Sequence, residues 1–262
     1  MLDEPSIDDV KSFWDARPCN IRHSPMEIGS REFFDQVEQR KYFVEPHIPA
    51  FAEFPKWRGK RVLEIGCGIG TDAVNFARSG ADYVGIDVSS ESLELASRRF
   101  RTYGLAGRFV HGNAEDVATY VDDGQPFDLI YSFGVIHHTP DPQAVLISAR
   151  SLCHERTDLK LMVFAENSWK SAMIEAGLDQ PEAQFGCPIA ITFSKTELFQ
   201  LLKSADFCPV AIWQDHIFPY EVEAYRNYDY RKQAWFESMD PKVFRVLERK
   251  FGWHMLAKAL PC

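Results

Sequence analysis

The sequence of residues 62–72 is VLEIGCGIGTD, and this stretch decides the fold class. It starts as an apolar run of strand length and continues into three glycines at alternate positions. Glycine adopts positive φ angles without strain, and its missing Cβ lets a ligand approach the backbone. Residues 71–79 then carry apolar side chains on one helical face and end before Gly80, which is typical of a helix C-terminus. The stretch predicts a strand, a ligand-binding turn and a helix, in that order.

The alternation of apolar run, turn and helical segment continues along the chain. Strands that alternate with helices are typical of a parallel sheet covered on both faces. The predicted fold class is therefore α/β, a Rossmann-like three-layer sandwich. Runs rich in β-branched and aromatic residues predict seven strands, at 61–65, 83–87, 108–112, 127–132, 159–165, 208–213 and 253–259.

Helix signals also occur on either side of this central region. A helical pattern covers residues 30–45, ahead of the first strand. Ser194 and Glu197 have the spacing of a capping box that opens a helix. Asp240 and Pro241 have the residue types favoured at the N-cap and at the first helical position.

The chain has 262 residues, 45% of them hydrophobic, which is enough for a substantial core. It contains no repeat or low-complexity linker, so we predict a single domain over residues 1–262. Residues 1–58 are predicted to form an amino-terminal cap and 59–165 the ligand-binding core. Residues 166–262 contain the substrate-side segments and the last two strands, with an aromatic insert at 217–238.

The 29 basic and 38 acidic residues give a formal net charge of −9. This charge offers no broad basic surface for a phosphate backbone, so no nucleic-acid partner is expected. The sequence has no apolar run of the roughly 20 residues that a membrane helix needs, and its amino terminus is acidic where a signal peptide is basic. The 6 cysteines lack a metal-binding spacing, which predicts reduced thiols in a cytoplasmic protein and no metal site. The oligomeric state stays open.

Two acidic residues near the glycine turn narrow the choice of ligand. The glycines follow a G-x-G-x-G pattern, whereas dinucleotide sites use G-x-G-x-x-G. Glu64 precedes the first glycine by two residues, where a carboxylate repels a pyrophosphate but attracts the ammonium and sulfonium of S-adenosylmethionine (SAM). Asp87 ends the second strand, where an acid accepts hydrogen bonds from ribose hydroxyls in NAD and SAM sites alike. A NAD-dependent oxidoreductase is therefore an alternative.

Further motifs follow the third and fourth strands. Residues 112–115, GNAE, offer polar groups to an adenine edge, although a solvated turn is the alternative. Together with residues 64–72, Asp87 and the segment 127–138, FDLIYSFGVIHH, they resemble the successive motifs of class I SAM-dependent methyltransferases. The resemblance covers about residues 30–260 and is greatest to the small-metabolite, ubiquinone-biosynthesis-like branch. It implies a seven-stranded sheet in the order 3-2-1-4-5-7-6 with the last strand antiparallel, SAM as cofactor and S-adenosylhomocysteine as product.

The resemblance also implies which residues bind the cofactor. Asp87 would contact the ribose, Asn113 the adenine and Phe133 the sulfonium, although many relatives carry Asp in place of Asn113. Tyr42, in the cap, is expected to cover the sulfonium. The full set of predicted cofactor-binding residues is Tyr42, Glu64, Gly66, Cys67, Gly68, Gly70, Asp72, Asp87, Val88, Asn113, Ala114, Glu115, Ser132 and Phe133.

Methyl transfer requires mainly that the nucleophile is aligned and water excluded, so a catalytic base is optional. His137 and His138 follow the fourth strand at the carboxyl edge of the sheet, where a histidine accepts a proton from a hydroxyl or an acidic carbon. His137 is the preferred candidate because it lies nearer the strand. The alternative is that either histidine packs against or caps the helix after Pro140.

The acceptor is predicted to be a small molecule, with O- or C-methylation favoured and N-methylation possible. For the residues that are predicted to bind the acceptor, the alternative role is to pack the variable segments onto the sheet. His254 is predicted to be structural. A non-catalytic SAM-binding module is a further alternative. The predicted acceptor-binding residues are Arg31, Tyr42, Phe43, Glu166, Asn167, Trp169, Tyr220, Tyr225 and Tyr228.

Overall fold

The computed structural model describes residues 5–178 and 186–262. Residues 1–4, which belong to the acidic amino-terminal stretch, lie outside the described residues. One sheet carries the eight strands of the described part of the chain. Their bounds are β1 Arg61–Ile65, β2 Asp82–Asp87, β3 Arg108–His111, β4 Phe127–Phe133, β5 Cys153–Ala165, β6 Thr192–Phe193, β7 Phe207–Asp215 and β8 His254–Pro261.

The strand order is β3-β2-β1-β4-β5-β8-β7, with β6 paired to β5 outside this path. Since β7 and β8 are the sixth and seventh predicted strands, the predicted order is confirmed, and β8 runs antiparallel to both neighbours. The predicted strand number is wrong by one, because β6 pairs only two residues with β5. Two residues are too short to give an alternating pattern in the sequence.

The helices cover both faces of the sheet, and the predicted caps are present. Ser30 caps α2, Ser194 forms the predicted capping box with Glu197, and Asp240 caps α12 with Pro241 in the first turn. The helices of the described residues are α1 Ile7–Ala16, α2 Arg31–Val44, α3 His47–Ala52, α4 Ala73–Arg78, α5 Ser90–Tyr103, α6 Val117–Val121, α7 Pro142–Arg150, α8 Trp169–Glu175, α9 Lys195–Ser204, α10 Val222–Arg226, α11 Ala234–Glu237 and α12 Pro241–Phe251.

Two apolar clusters flank the sheet, one on each face. Leu63 of β1 belongs to one cluster and Val62 to the other, as expected for a central strand buried on both sides. Parallel packing brings the carboxyl ends of β1, β2 and β4 to one edge, where the glycine turn lies. A third cluster holds α2 against this edge through Phe33, Phe34 and Ile69.

Two cysteines near the carboxyl-terminal strand are not the reduced thiols that the sequence analysis predicts. Cys208 of β7 and Cys262 form a disulfide, with their Cα atoms 5.1 Å apart, so the prediction of six reduced cysteines is wrong at this pair. The strands β7 and β8 are antiparallel neighbours and align Cys208 with Leu260, which brings the end of the chain beside it. None of the described helices is both long enough and apolar enough to cross a membrane.

Candidate functional site

The glycine turn after β1 has the backbone conformation that its sequence predicts. Gly66, Gly68 and Gly70 have φ angles of 75°, 52° and 76°, in the left-handed region that favours glycine. A Cβ on Gly66 would collide with the side chain of Val135, and one on Gly70 would press on Ala96. A Cβ on Gly68 would meet nothing within 4 Å. Gly66 and Gly70 are therefore needed for packing, whereas Gly68 faces open space.

Asp87 ends β2 beside this open space. Its Oδ2 accepts a hydrogen bond from the Gly68 amide at 2.8 Å, and its Oδ1 accepts one from the Ser89 amide at 2.9 Å. Burial raises the pKa of the carboxyl, while these two backbone hydrogen bonds oppose the shift. Each carboxylate oxygen can accept a further hydrogen bond, so the group is oriented and still able to bind ribose hydroxyls.

A cavity of about 120 Å³ lies over Gly68 and Asp87. Val88, Asn113 and Ala114, which are among the predicted cofactor residues, line this cavity. Ile7, Val10 and Trp14 of α1 line it as well, although no sequence pattern indicates that the first helix reaches this site. The cavity therefore combines an apolar cover, a fixed carboxylate and a glycine turn, which suits a nucleoside.

A larger cavity of about 520 Å³ adjoins the first. Trp14, Cys19, Phe133, Gly134 and His138 line both cavities and mark where they meet. Among the described residues, six lysine and arginine side chains line the larger cavity against a single carboxylate, that of Glu45. The basic residues are Arg17, Arg22, Arg40, Lys41, Lys170 and Arg226.

The two histidines after β4 differ in their surroundings. His138 lines both cavities, and its Nδ1 lies 2.6 Å from the carbonyl oxygen of Ile189. Because a carbonyl only accepts, Nδ1 carries the proton and Nε2 keeps the lone pair of the neutral ring. Burial lowers the pKa of His138 to about 4, so the ring is neutral at physiological pH.

His137 has a different position, behind the wall of the larger cavity. It is fully buried, its ring centroid lies 3.8 Å from that of Phe164, and neither ring nitrogen has a hydrogen-bond partner within the described chain. It lines neither cavity. The structure therefore does not support the preference for His137, because the chain turns after β4 and presents the second histidine of the pair.

Three predicted cofactor residues instead form a buried network behind the glycine turn. The hydroxyl of Tyr83 donates to Glu64 at 2.6 Å, and burial raises the pKa of Glu64 well above its usual range. Asp72 accepts from Lys41 at 2.8 Å and from the hydroxyl of Tyr42 at 3.0 Å. Glu64, Asp72 and Tyr42 line neither cavity, so a direct contact with a ligand is not supported.

The remaining predicted cofactor residues divide between the cavities and the core. Gly66 and Phe133 line the cavities. Cys67 is buried, and its pKa lies well above the usual range because of that burial. The Ser132 hydroxyl is buried without a partner in the described residues. Glu115 accepts a hydrogen bond from the Asp141 amide at 2.8 Å, a role in the loop rather than in the cavity.

The predicted acceptor residues are only partly brought together. Trp169 and Tyr225 line the larger cavity. Arg31 contacts the carbonyl of Thr102 at 2.5 Å on the surface, away from both cavities. The others contribute to packing or to the surface: Phe43 stacks on Tyr220, the hydroxyl of Tyr228 donates to the carbonyl of Arg22 at 3.1 Å, and Glu166 and Asn167 are exposed.

Comparison with known proteins agrees with this architecture. The sequence model of a family described as "Methyltransferase domain" matches residues 37–212. A ubiquinone biosynthesis O-methyltransferase of Salmonella paratyphi A is 31% identical over 120 residues, which cover 45% of this chain and 49% of that protein. The corresponding protein of Salmonella typhimurium is 30% identical over the same length. The chain thus spans about half the length of the curated relatives it matches.

Solved structures share the fold at low sequence identity. Magnesium protoporphyrin IX methyltransferase from Synechocystis, crystallised with SAM, superposes with a TM-score of 0.60 at 13% identity and covers 100% of this chain and 99% of its own. A putative methyltransferase bound to the Haloferax volcanii Trm112 activator gives a TM-score of 0.60 at 16% identity, over 89% of this chain and 95% of its own.

The strand order and the glycine turn are those of the fold that these solved methyltransferases share. The chain belongs to the methyltransferase domain family, whose model covers residues 37–212. The open position above Gly68 lies beside the oriented Asp87 carboxylate and leaves room for a ligand.

Proposed function

We propose that the protein transfers the methyl group of SAM to a small anionic acceptor, preferentially to an oxygen atom. The observation that carries this proposal is the junction of the two cavities at Phe133, Gly134 and His138. A donor seated in the smaller cavity and an acceptor seated in the larger one would meet there. Such alignment supplies most of what methyl transfer requires.

The donor side depends on a small set of residues. Asp87 would accept hydrogen bonds from the ribose, Asn113 and Ala114 would contact the adenine, and Gly68 leaves room for the ligand beside its backbone. SAM, when bound, supplies an electrophilic methyl group on a positively charged sulfur. Trp14 would exclude water from the junction, since its ring lines both cavities.

The charge of the larger cavity supports an anionic acceptor. Among the described residues, six basic side chains line it against the carboxylate of Glu45, and one of the six, Lys41, forms an ion pair with Asp72. The lining of the cavity is therefore more basic than the whole chain, whose formal charge is −9. Basic side chains in a concave site attract a carboxylate or phosphate and raise its local concentration. A substrate with such a group beside the reacting oxygen fits this cavity, and O-methylation also agrees with the names of the curated relatives.

His138 is the residue that would accept the proton of an acceptor hydroxyl. Its neutral ring holds a lone pair on Nε2, because Nδ1 is engaged by Ile189. In the reaction the acceptor loses a proton to the imidazole and its oxygen forms the new C–O bond. SAM, when bound, would supply the methyl group, and the electron pair of its S–C bond would stay on the sulfur of the product S-adenosylhomocysteine. In C-methylation the same base would take the proton from an acidic carbon, and the resulting carbanion would be the nucleophile. A neutral amine acceptor would need no base.

The experiment is equilibrium binding by calorimetry, followed by turnover with labelled SAM. We expect SAM and S-adenosylhomocysteine to bind and NADH to give no heat. Hydroxylated aromatic or aliphatic acids should then gain a labelled methyl group, while their methyl esters, which lack the anion, should react at least about tenfold more slowly.

The possible outcomes separate the alternatives. NADH binding without SAM binding would contradict the proposal and favour an oxidoreductase. SAM binding without product from any acceptor would favour a non-catalytic SAM-binding module. Equal rates with the acids and their esters would refute only the proposal that the acceptor is anionic and would leave methyl transfer itself unaffected. Three further statements stay predictions. They are the division into a cap at 1–58, a core at 59–165 and substrate-side segments at 166–262, the cytoplasmic location, and the absence of a nucleic-acid partner.

A further inference from the structure

Two histidines and one glutamate lie close together on the wall of the larger cavity. Glu45 caps the end of α2, His216 follows β7, and His254 begins β8. All three line the cavity, and one ligand atom from each lies within 4.8 Å of the other two. His254 Nε2 and Glu45 Oε1 are 3.5 Å apart.

We propose that Glu45, His216 and His254 bind a divalent transition-metal ion in the acceptor cavity. Two imidazoles and one carboxylate are the donor set of catalytic zinc sites and of non-haem iron sites, and both leave coordination positions open. The imidazole donors favour zinc, iron or cobalt over magnesium or calcium, which prefer oxygen ligands. No metal-binding spacing is visible in the sequence, because the three ligands come from positions far apart in the chain.

The surroundings of the cluster resemble those of a metal ligand set. The Nε2 of His47 lies 2.9 Å from the Nδ1 of His254, and such a bond to the second ring nitrogen fixes the orientation of a ligating histidine. The rings of His216 and His47 stack with centroids 5.5 Å apart.

The position of the cluster connects it with the acceptor. Phe133, which borders both cavities, has its ring centroid 5.4 Å from that of His254. An ion held by the three residues would thus face the junction across one aromatic ring. The single carboxylate of the cluster leaves a bound divalent ion with an excess positive charge. An anionic acceptor would complete the site as an oxygen-donor chelate, a role that rests on the function proposed above.

The test is metal binding by the protein after any bound metal has been removed with a chelator. Isothermal titration with Zn²⁺ and the visible absorption of Co²⁺ give stoichiometry and coordination without measuring activity. We expect one equivalent per chain, and a loss of affinity of at least about tenfold in His216→Ala, His254→Ala and Glu45→Gln. His111→Ala is the matched control, because His111 is exposed and lies outside both cavities.

The affinity for SAM is measured in the same samples, because its site lies in the other cavity. No stoichiometric binding of Zn²⁺ or Co²⁺ by the wild-type protein would overturn the metal site and leave the methyltransferase proposal intact. Binding that survives all three substitutions would also overturn it. Metal binding in a protein that does not bind SAM would support the site and refute the proposed function. Glu45→Gln keeps the test valid if a histidine variant fails to fold, since Glu45 is only half-buried.

Discussion

Replacement of Gly68 by alanine tests whether the glycine turn holds the cofactor. The φ angle of 52° costs an alanine about 1–2 kcal/mol of folding free energy. The added methyl group meets no protein atom within 4 Å, so this backbone cost is the whole expected loss of stability. A ligand on the turn would occupy the space of the methyl group. We therefore expect the affinity for SAM to fall at least about tenfold, or 1.4 kcal/mol.

Gly104→Ala is the matched control for this substitution. Gly104 ends α5 with a φ angle of 65°, and a Cβ there also meets nothing within 4 Å. Urea unfolding should show the same destabilisation for both variants, and calorimetry should show weaker SAM binding for Gly68→Ala alone. An unchanged Kd in folded Gly68→Ala, or an equal loss in both variants, would refute the assignment of the turn to the cofactor.

Three further predictions concern the acidic and histidine side chains. Asp87→Ala should weaken SAM binding by about 1.5–3 kcal/mol in calorimetry, the usual scale for hydrogen bonds to a charged group, and unchanged affinity in a folded variant would remove Asp87 from the site. His138→Gln should leave SAM affinity nearly intact and lower turnover by roughly 10²–10⁴-fold, whereas a similar loss in His137→Gln alone would contradict the assignment of the base. The pKa of His138 is lowered from 6.5 to about 4 in the folded state, so the unfolded chain binds the extra proton first as the pH falls. This histidine should therefore lower the free energy of unfolding by about 2 kcal/mol between pH 8 and pH 5. Urea unfolding of the wild type and of His138→Gln at both pH values measures that difference, and parallel losses in the two proteins would contradict it.

The central sheet and the glycine turn could be predicted because local patterns determine them. Alternating strand and helix signals, the cap at Ser194 and the glycines of 62–72 depend on neighbours in the sequence. The role of Glu64 could not be predicted in this way, since its hydrogen bond to Tyr83 depends on the pairing of β1 with β2. The choice between His137 and His138 depends on the direction of a single turn after β4.

The acceptor side was harder to predict because its residues come from separate segments. His254 looked like a strand residue, and only the pairing of β5, β7 and β8 places it beside His216 and Glu45. The helix α1 has a clear capping box at Ser6, but nothing in its sequence indicates that Trp14 reaches the cofactor cavity. Long-range contacts of this kind follow from topology and not from local propensity.

The wall that the two cavities share makes the two ligands thermodynamically linked. The indole of Trp14 and the ring of Phe133 line both cavities, so any adjustment of these rings to one ligand changes the surface presented to the other. Linkage then requires that each ligand alters the affinity of the other by the same factor. Trp14 also packs edge-on against His138 with ring centroids 5.5 Å apart. Its fluorescence should therefore report which of the two ligands is bound and the order in which they arrive.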